Sequence, residues 1–321
     1  MPDGLTALAA LGIRVDARDA APFRGIRFVN GLQEIGASFP SGVGYGIRRT
    51  VLHQWMADRA AECGVSLHWG RRITGLSPDG LLVEGRVVSC RWLICADGRN
   101  SRLRRLAGLE PARPQRYRYG FRRHYRIAPW SDFVEVHWSD CGQMYVTPVA
   151  GDQVCVALIT RHNGLRFDEA LPQFPQLAAR LEHTTIMGST IGAITASQTL
   201  REVHGGSVAL IGEAAGSVDA ITGEGLSIAF HQAISLAGAM RGGDLAEYDR
   251  AHSAITRLPR RMAALMLLMD DRRWLRERAF RALAAEPGFF ARMLAMHTGI
   301  LSPVEFGLVP SLLFGWRLLM A

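Results

Sequence analysis

The sequence contains no stretch approaching the roughly 18 consecutive apolar residues that a membrane-spanning helix needs, and its first residues lack the pattern of a secretory signal. Cysteine is sparse. Cys63, Cys90, Cys95, Cys141 and Cys155 are an odd number with no C-x-x-C pair, so neither a disulfide framework nor a zinc site is supported. Buried, reduced thiols of a cytoplasmic protein are the expected state. G-x-S-x-G, H-E-x-x-H and P-loop motifs are all missing, which removes the sequence signatures of several hydrolase classes. The ten histidines form no ligand-spaced pair, and His53, His124 and His231 are expected to be structural. Asp270-Asp271 reads as charge on a helix surface rather than a catalytic dyad. Repeats, low-complexity tracts and flexible linkers are absent too.

What remains is an ordinary globular balance: 321 residues, 48% hydrophobic and 21% charged, enough for one large domain or two interleaved ones. The net charge of +8 is carried by arginine alone, since the sequence has no lysine, and the arginines are scattered along the chain with small clusters at Arg102, Arg104, Arg105 and at Arg257, Arg260, Arg261. Without a nucleic-acid-binding motif or a basic tail, nucleic acid is not an expected partner. Solvated helix faces account for most of these charges, leaving a few for an anionic ligand.

Short apolar runs that stop at Gly or Asp mark buried strands of a mostly parallel sheet. Trp92-Leu93-Ile94-Cys95-Ala96, preceded by Arg86–Val88, stops at Asp97-Gly98, and Ser207-Val208-Ala209-Leu210-Ile211 stops at Gly212. Between them lie Tyr117–Ile127, Phe133–Trp138, Gln143–Val149 and Gln153–Thr160, all strand-like, the last two flanking the turn Ala150-Gly151-Asp152. This predicts an antiparallel sheet inserted into an α/β domain. Thr50–Cys63 has a helical stripe ended by Gly64, and Leu226–Met240 is apolar nearly all round, as a buried helix is. Beyond Asp244 the pattern is helical.

Two stretches carry chemistry. In Cys95-Ala96-Asp97-Gly98-Arg99-Asn100-Ser101-Arg102-Leu103-Arg104-Arg105, a buried strand meets a tight turn and Ser101 caps a basic helix. Asp97 is either a ligand-facing carboxylate at the sheet's C-terminal edge or a plain turn residue. In Ala209-Leu210-Ile211-Gly212-Glu213-Ala214-Ala215-Gly216, followed by Asp219-Ala220-Ile221-Thr222-Gly223-Glu224-Gly225-Leu226, a strand ends at Gly212. Gly223 and Gly225 then open a long helix. Glycines there allow close approach of a ligand, and the helix start favours negative charge; a connector without a ligand is the other reading.

Together, in this order and at this separation, the two stretches resemble the FAD-dependent aromatic-hydroxylase and geranylgeranyl-reductase superfamily, whose members share an A-D-G-x-x-S-x-(L/V)-R-R element and a later L-I-G-D-A-A-G…T-G-E-G element. The resemblance implies an α/β fold: an FAD-binding parallel sheet, an inserted antiparallel substrate sheet and C-terminal helices. It divides the chain into a discontinuous FAD-binding domain (1–115 and 200–245), a substrate domain (116–199) and a helical region (246–321). It places Asp97 near the flavin pyrophosphate or ribityl chain, Gly212 and Glu213 on the ribityl chain, and Gly223, Gly225 and Leu226 along the isoalloxazine ring. Arg49, in Arg49-Thr50-Val51-Leu52, matches an R-x-x-L helix start that approaches the cofactor, with Arg48 as the fallback and a surface arginine as the plain reading.

The sequence departs from that pattern in three places. Glu213 stands where the family usually has Asp, and Ala220 where a proline usually precedes T-G-E-G. The opening strand, G-x-G-x-x-G and acidic ribose ligand are missing; Gly42-Val43-Gly44-Tyr45-Gly46 has the wrong spacing, and Met1–Leu5 resembles the segment after that unit. The first βαβ unit is therefore expected to be absent, leaving ladder groups unpaired and core surface exposed, with weak FAD binding or insolubility as the consequence.

The resemblance implies a flavin reduced by NAD(P)H that either hydroxylates an electron-rich substrate or reduces an alkene, with no catalytic residue singled out. T-G-E-G is closer to the reductase branch. Tyr145 and Arg122 are polar candidates on the roof of a pocket for a hydrophobic small molecule. The apolar, arginine-interspersed stretches Leu258–Met269 and Phe306–Met320 fit either a helical cap or peripheral contact with a membrane. A truncated, non-catalytic remnant of the fold is the competing expectation.

Overall fold

The computed structural model describes residues 1–110 and 117–307; the apolar stretch ending at Met320 lies, after residue 307, outside the described residues. A seven-stranded sheet forms the middle of the molecule. Its spatial order is Thr185–Ala196, Tyr117–Arg126, Gln153–Thr160, Gly142–Val149, Phe133–Ser139, Gly25–Asn30 and Gln33–Ser38. Neighbours are antiparallel throughout except Phe133–Ser139 and Gly25–Asn30, which run parallel. The strands expected between 117 and 160 form as their alternation predicts. The sheet is wider than the sequence suggested, because the hairpin 25–38 joins it; the turn Asn30-Gly31, with Gly31 at φ 60°, is a strong hairpin signal in the sequence.

Alternation along the strands gives the sheet two buried faces. Met144, Val146, Val154, Val156 and Leu158 pack under Phe167, Leu177 and Leu181 from two short helices. On the opposite face, Phe28, Val136 and Tyr145 lie against the C-terminal helices Ala246–Asp271, Arg273–Ala285 and Pro287–His297.

A small second sheet carries the two motifs. Leu93–Cys95 runs parallel to Val208–Leu210, which His204–Gly205 joins antiparallel. Leu93–Cys95 has one strand neighbour among the described residues. A third sheet, Ile73–Ser77, Gly80–Val83 and Arg86–Ser89, packs Leu76 and Leu81 against the core beside the motif sheet, while Val65, Leu67, Trp69, Val87 and Val88 are exposed. Trp69 lies tilted against His53, ring centres 5.6 Å apart.

The helix expected over Thr50–Cys63 spans Arg49–Glu62, with Gly64 at φ 75° beyond it. Gly225–Gly242 forms the long helix after the second motif. The N-terminal helix Pro2–Ala10 lies against it and bridges to Leu52 of the Arg49–Glu62 helix through Leu8 and Phe230. None of the described helices is long and apolar enough to cross a membrane.

Two expectations about charge are corrected. Asp270 is not surface charge: the end of the Ala246–Asp271 helix turns it inward to 2% exposure, where Arg118 and Gln143 bond it. Nor are the arginines all solvated, since Arg104, Arg118, Arg123 and Arg276 are buried, each bonded to carboxylates or backbone carbonyls.

Candidate functional site

The parallel pairing of Cys95 with Leu210 brings the ends of both motif strands side by side, so Asp97 and Gly212 leave the same sheet edge. The Asp97 carboxylate is exposed and caps the helix that follows it. It accepts from the Arg102 amide at 3.0 Å and from the Ser101 hydroxyl, while Ser101 accepts from the Arg104 amide at 3.0 Å. Arg104 then reaches across to the Ala214 carbonyl at 3.0 Å and the Arg99 carbonyl at 2.9 Å. One buried guanidinium thus fastens the two motifs together, and that explains why Arg104 is buried while Arg102 and Arg105 of the same helix are exposed.

Gly212 adopts φ 60° and donates its amide to Gln232 Oε1 at 2.7 Å; Glu213 beside it is exposed. The chain then turns through Asp219–Thr222. Asp219 Oδ1 accepts from the Ile221 amide at 3.0 Å and from Arg118 Nη1 at 2.9 Å. Gly223 takes φ 70°, which favours glycine, and Gly225 opens the 18-residue helix. No atom lies within 4 Å of where a Cβ would stand at Gly223 or Gly225. Open space in front of unobstructed backbone at a helix start suits a flat, electron-rich ring.

Arg49 begins its helix, is exposed, and makes no hydrogen bond or ion pair among the described residues. Arg48 instead donates to Gln153 Oε1 at 3.1 Å. The structure therefore unites Asp97 with Gly212 and Glu213, and Gly223 with Gly225 and Leu226, along one helix and sheet edge. Arg49 stands on a separate helix, Arg49–Glu62, whose Leu52 clusters with Leu8 and Phe230.

Beneath Gly223 lies a cavity of about 520 Å³. The large sheet contributes Ile26, Phe28, Val134, Val136 and Tyr145; the Gly225–Gly242 helix contributes Leu226 and Phe230; methionines 262, 266, 269 and 293 close it from the C-terminal helices. No Asp, Glu, Lys or Arg side chain lines it among the described residues. Its polar side chains are Tyr45, Tyr145, Thr147, Thr222, Ser227 and His297. Tyr145 donates its hydroxyl to the Ile221 carbonyl at 2.8 Å, and burial pushes its phenol well above the ordinary tyrosine value. Arg122 shares the Tyr145 face of the sheet, two strands away through Ala157, but does not line the cavity.

Behind the cavity sits a buried polar hub. Arg118, 4% exposed, bonds Asp219, Asp270 at 3.2 Å and Gln143 at 2.6 Å. On the other side, Asp3 of the N-terminal helix accepts from Ser227 and meets His231 Nε2 at 2.9 Å. That hydrogen bond raises the His231 imidazole above its usual value. Glu224 and His297, which no motif paired in sequence, meet at 3.5 Å. Thr222 and Glu224 were visible inside T-G-E-G, whereas His297 carries no local signal.

No family model matches the sequence. Among solved structures, the chain is similar to a flavoprotein/dehydrogenase from Cytophaga hutchinsonii, with a TM-score of 0.78, 15% identity, and 99% of this chain and 85% of that one covered. It is also similar to a geranylgeranyl bacteriochlorophyll reductase-like protein from Thermoplasma acidophilum, with a TM-score of 0.66, 15% identity, and 96% and 83% covered. A probable FAD-dependent monooxygenase from Pseudomonas aeruginosa matches at a TM-score of 0.62 and 20% identity, with 82% and 84% covered. The chain has the fold of FAD-dependent flavoproteins, a mixed α/β architecture with a large sheet and C-terminal helices.

Proposed function

We propose that this chain works as an FAD-dependent oxidoreductase on an uncharged, apolar small molecule, with NAD(P)H as the reductant of the flavin. The observation that carries this reading is the junction at Gly223: the open, glycine-lined helix start and the apolar cavity meet there. The residues present fit the cofactor. Gly223, Gly225 and Leu226 would border its ring, Gly212 and Glu213 its ribityl chain, and Arg49, which has no partner among the described residues, is available to its phosphates. Asp97 offers the outer side of a carboxylate already fixed by its own helix. Bound FAD would supply two-electron redox chemistry. The protein's part is to hold the turn rigid through Arg118 and Tyr145, to keep water out, and to orient substrate by shape.

Alkene reduction suits the cavity better than hydroxylation of a phenol. An isolated alkene asks for no charged partner, and among the described residues none lines the wall. The test is direct. Purified protein is titrated with FAD by flavin fluorescence, then supplied with NAD(P)H and either apolar alkenes without oxygen or electron-rich aromatics with it. A saturated product supports the reading; a hydroxylated one would move the assignment to the monooxygenase branch. Failure to bind FAD would leave the remnant reading standing.

One further observation supports contact with a membrane surface. Leu265 and Leu268 line the cavity and are also exposed, and Trp274, at the start of the following helix, is 55% exposed. An exposed apolar lip at a cavity mouth suits an interface that delivers a lipid-like substrate. Flotation with anionic vesicles tests this. Binding that drops in L265D/L268D supports it, and no flotation of the wild type would exclude it.

A further inference from the structure

Glu224 occupies an unusual position for a carboxyl group. It lies at the start of the Gly225–Gly242 helix, its side chain 12% exposed, with Oε1 3.5 Å from Nδ1 of His297, itself 8% exposed. Oε2 is buried and has no hydrogen-bond partner. Among the described residues His297 is its one neighbour at ion-pair range; no arginine reaches it. A buried carboxylate without a cation is costly by several kcal/mol. Such a group lowers that cost by keeping its proton.

The surroundings act in the same direction. Asp3, on the N-terminal helix packed alongside, adds negative charge, and His231 is turned toward Asp3 rather than Glu224. Burial first, and then the Asp3 charge, push the Glu224 carboxyl up to about 8 against the pull of the Thr222 hydroxyl. Burial, with the Met1 amino group, lowers His297 to about 4. Both members of the pair are thus neutral at neutral pH. His297 and Thr222 line the cavity, while Glu224 stands behind them.

We propose that Glu224 and His297 are the acid of this cavity: the Glu224 carboxyl holds a proton and delivers it, through the His297 imidazole, to a substrate carbon. This rests on the oxidoreductase reading above. The O–H bond of Glu224 breaks and its electron pair stays on the carboxylate. The imidazole takes that proton on one nitrogen and releases its own from the other. The new C–H bond would use the electron pair left on the substrate alkene once its neighbouring carbon has accepted hydride, the two-electron reduction that a bound, reduced flavin would supply. Solvent restores the Glu224 proton between turnovers. His297 is the group that meets the substrate, and Glu224 acts through it. Acids of this kind work best with a proton affinity near the operating pH.

The first test needs neither flavin nor substrate. Protein labelled with ¹³C in the glutamate carboxyl is titrated by NMR. One carboxyl is expected to titrate with a midpoint of about 8, absent in Glu224→Gln and displaced in His297→Gln. If every glutamate titrates below neutrality, the proposal is overturned while the oxidoreductase reading is untouched. If the raised carboxyl is present but FAD does not bind, the oxidoreductase reading fails and the catalytic role fails with it. In the loaded enzyme, turnover should fall about tenfold per pH unit above that midpoint. E224Q should lower kcat at least tenfold, leave KM within twofold, and flatten the profile. A wild-type rate and profile in E224Q would also overturn the proposal. Should E224Q fail to fold, the wild-type titration and H297Q decide.

Discussion

Arg118 offers the sharpest test of how the site is held together. Its guanidinium, 4% exposed, bonds two carboxylates that are each 2% exposed, and it also bonds Gln143. Arg118→Met keeps most of the apolar volume and removes the cation. Asp270 would keep Gln143 and Arg161 as partners, but among the described residues the Asp219 carboxylate would keep only the Ile221 amide. Removing one partner of a buried pair costs about 3–5 kcal/mol, because the other charge stays buried without compensation. Against a total of about 5–15 kcal/mol for a domain, that is a large share. Urea unfolding followed by tryptophan fluorescence would measure it, with buried Trp138, cross-strand from Gln143, as an internal reporter. The same reasoning requires that neutralising the carboxylates as well, in R118M/D219N/D270N, recovers part of the loss. A loss below about 1 kcal/mol in R118M, or no recovery in the triple variant, would refute the view that this hub fixes the 219–222 turn.

Three further outcomes follow from single features. Gly46→Ala would put a Cβ 1.7 Å from the Pro148 carbonyl oxygen, so an overpacking loss of about 1–3 kcal/mol is expected in the same urea assay; an unchanged midpoint would contradict that contact. Gly223→Ala adds a methyl in open space at φ 70°, costing about 1–2 kcal/mol of backbone strain, and should weaken FAD binding measured by fluorescence; equal affinity would remove this turn from the flavin cradle. Stability should peak near pH 6.5. Burial holds His297 and His252 to about 4 in the folded protein, so their contribution is complete above the usual value of about 6.5 and is lost as pH falls through 4. Glu224, raised to about 8, contributes fully below about 4.5 and loses that contribution as pH rises through 8, at about 1.4 kcal/mol per unit. Thermal unfolding across this range checks it, and a stability still rising at pH 8 would be inconsistent with the Glu224 assignment.

How much of this was legible depends on the range of each interaction. The strands 133–139, 142–149 and 153–160 could be read from alternation because each pairs with its neighbour in sequence. The hairpin 25–38 was missed although Asn30-Gly31 announces it, because its membership of the sheet depends on a parallel pairing with residues 133–138, and nothing local specifies that. Asp270 misled for the same reason. On its own helix it looks like surface charge, and only the approach of Arg118 from a distant strand makes burial tolerable. Asp97 was visible as a motif residue, yet local spacing could not say that its carboxylate would be engaged by the Ser101–Leu103 segment. Glu224 and His297 meet only because the last long helix, Pro287–His297, folds back over the Thr222–Gly225 turn.

The distribution of charge around the cavity argues that its chemistry and its selectivity are separable. Apart from Glu224, the polar groups around the turn are held by partners of their own: the Asp219 carboxylate by Arg118, the Asp3 carboxylate by Ser227 and His231, and the Ala214 carbonyl by Arg104. The Ile221 carbonyl, which faces inward, is covered by the Tyr145 hydroxyl. With those groups satisfied, the wall can be mostly apolar, and the four methionines that the C-terminal helices bring to it adapt to shape with little cost. Substitutions among the methionines should therefore change which molecule fits, and substitutions at Glu224 and His297 should change how fast a proton arrives. The backbone between Gly223 and Gly225 joins the two, since one short turn both faces the open cradle and carries the carboxyl.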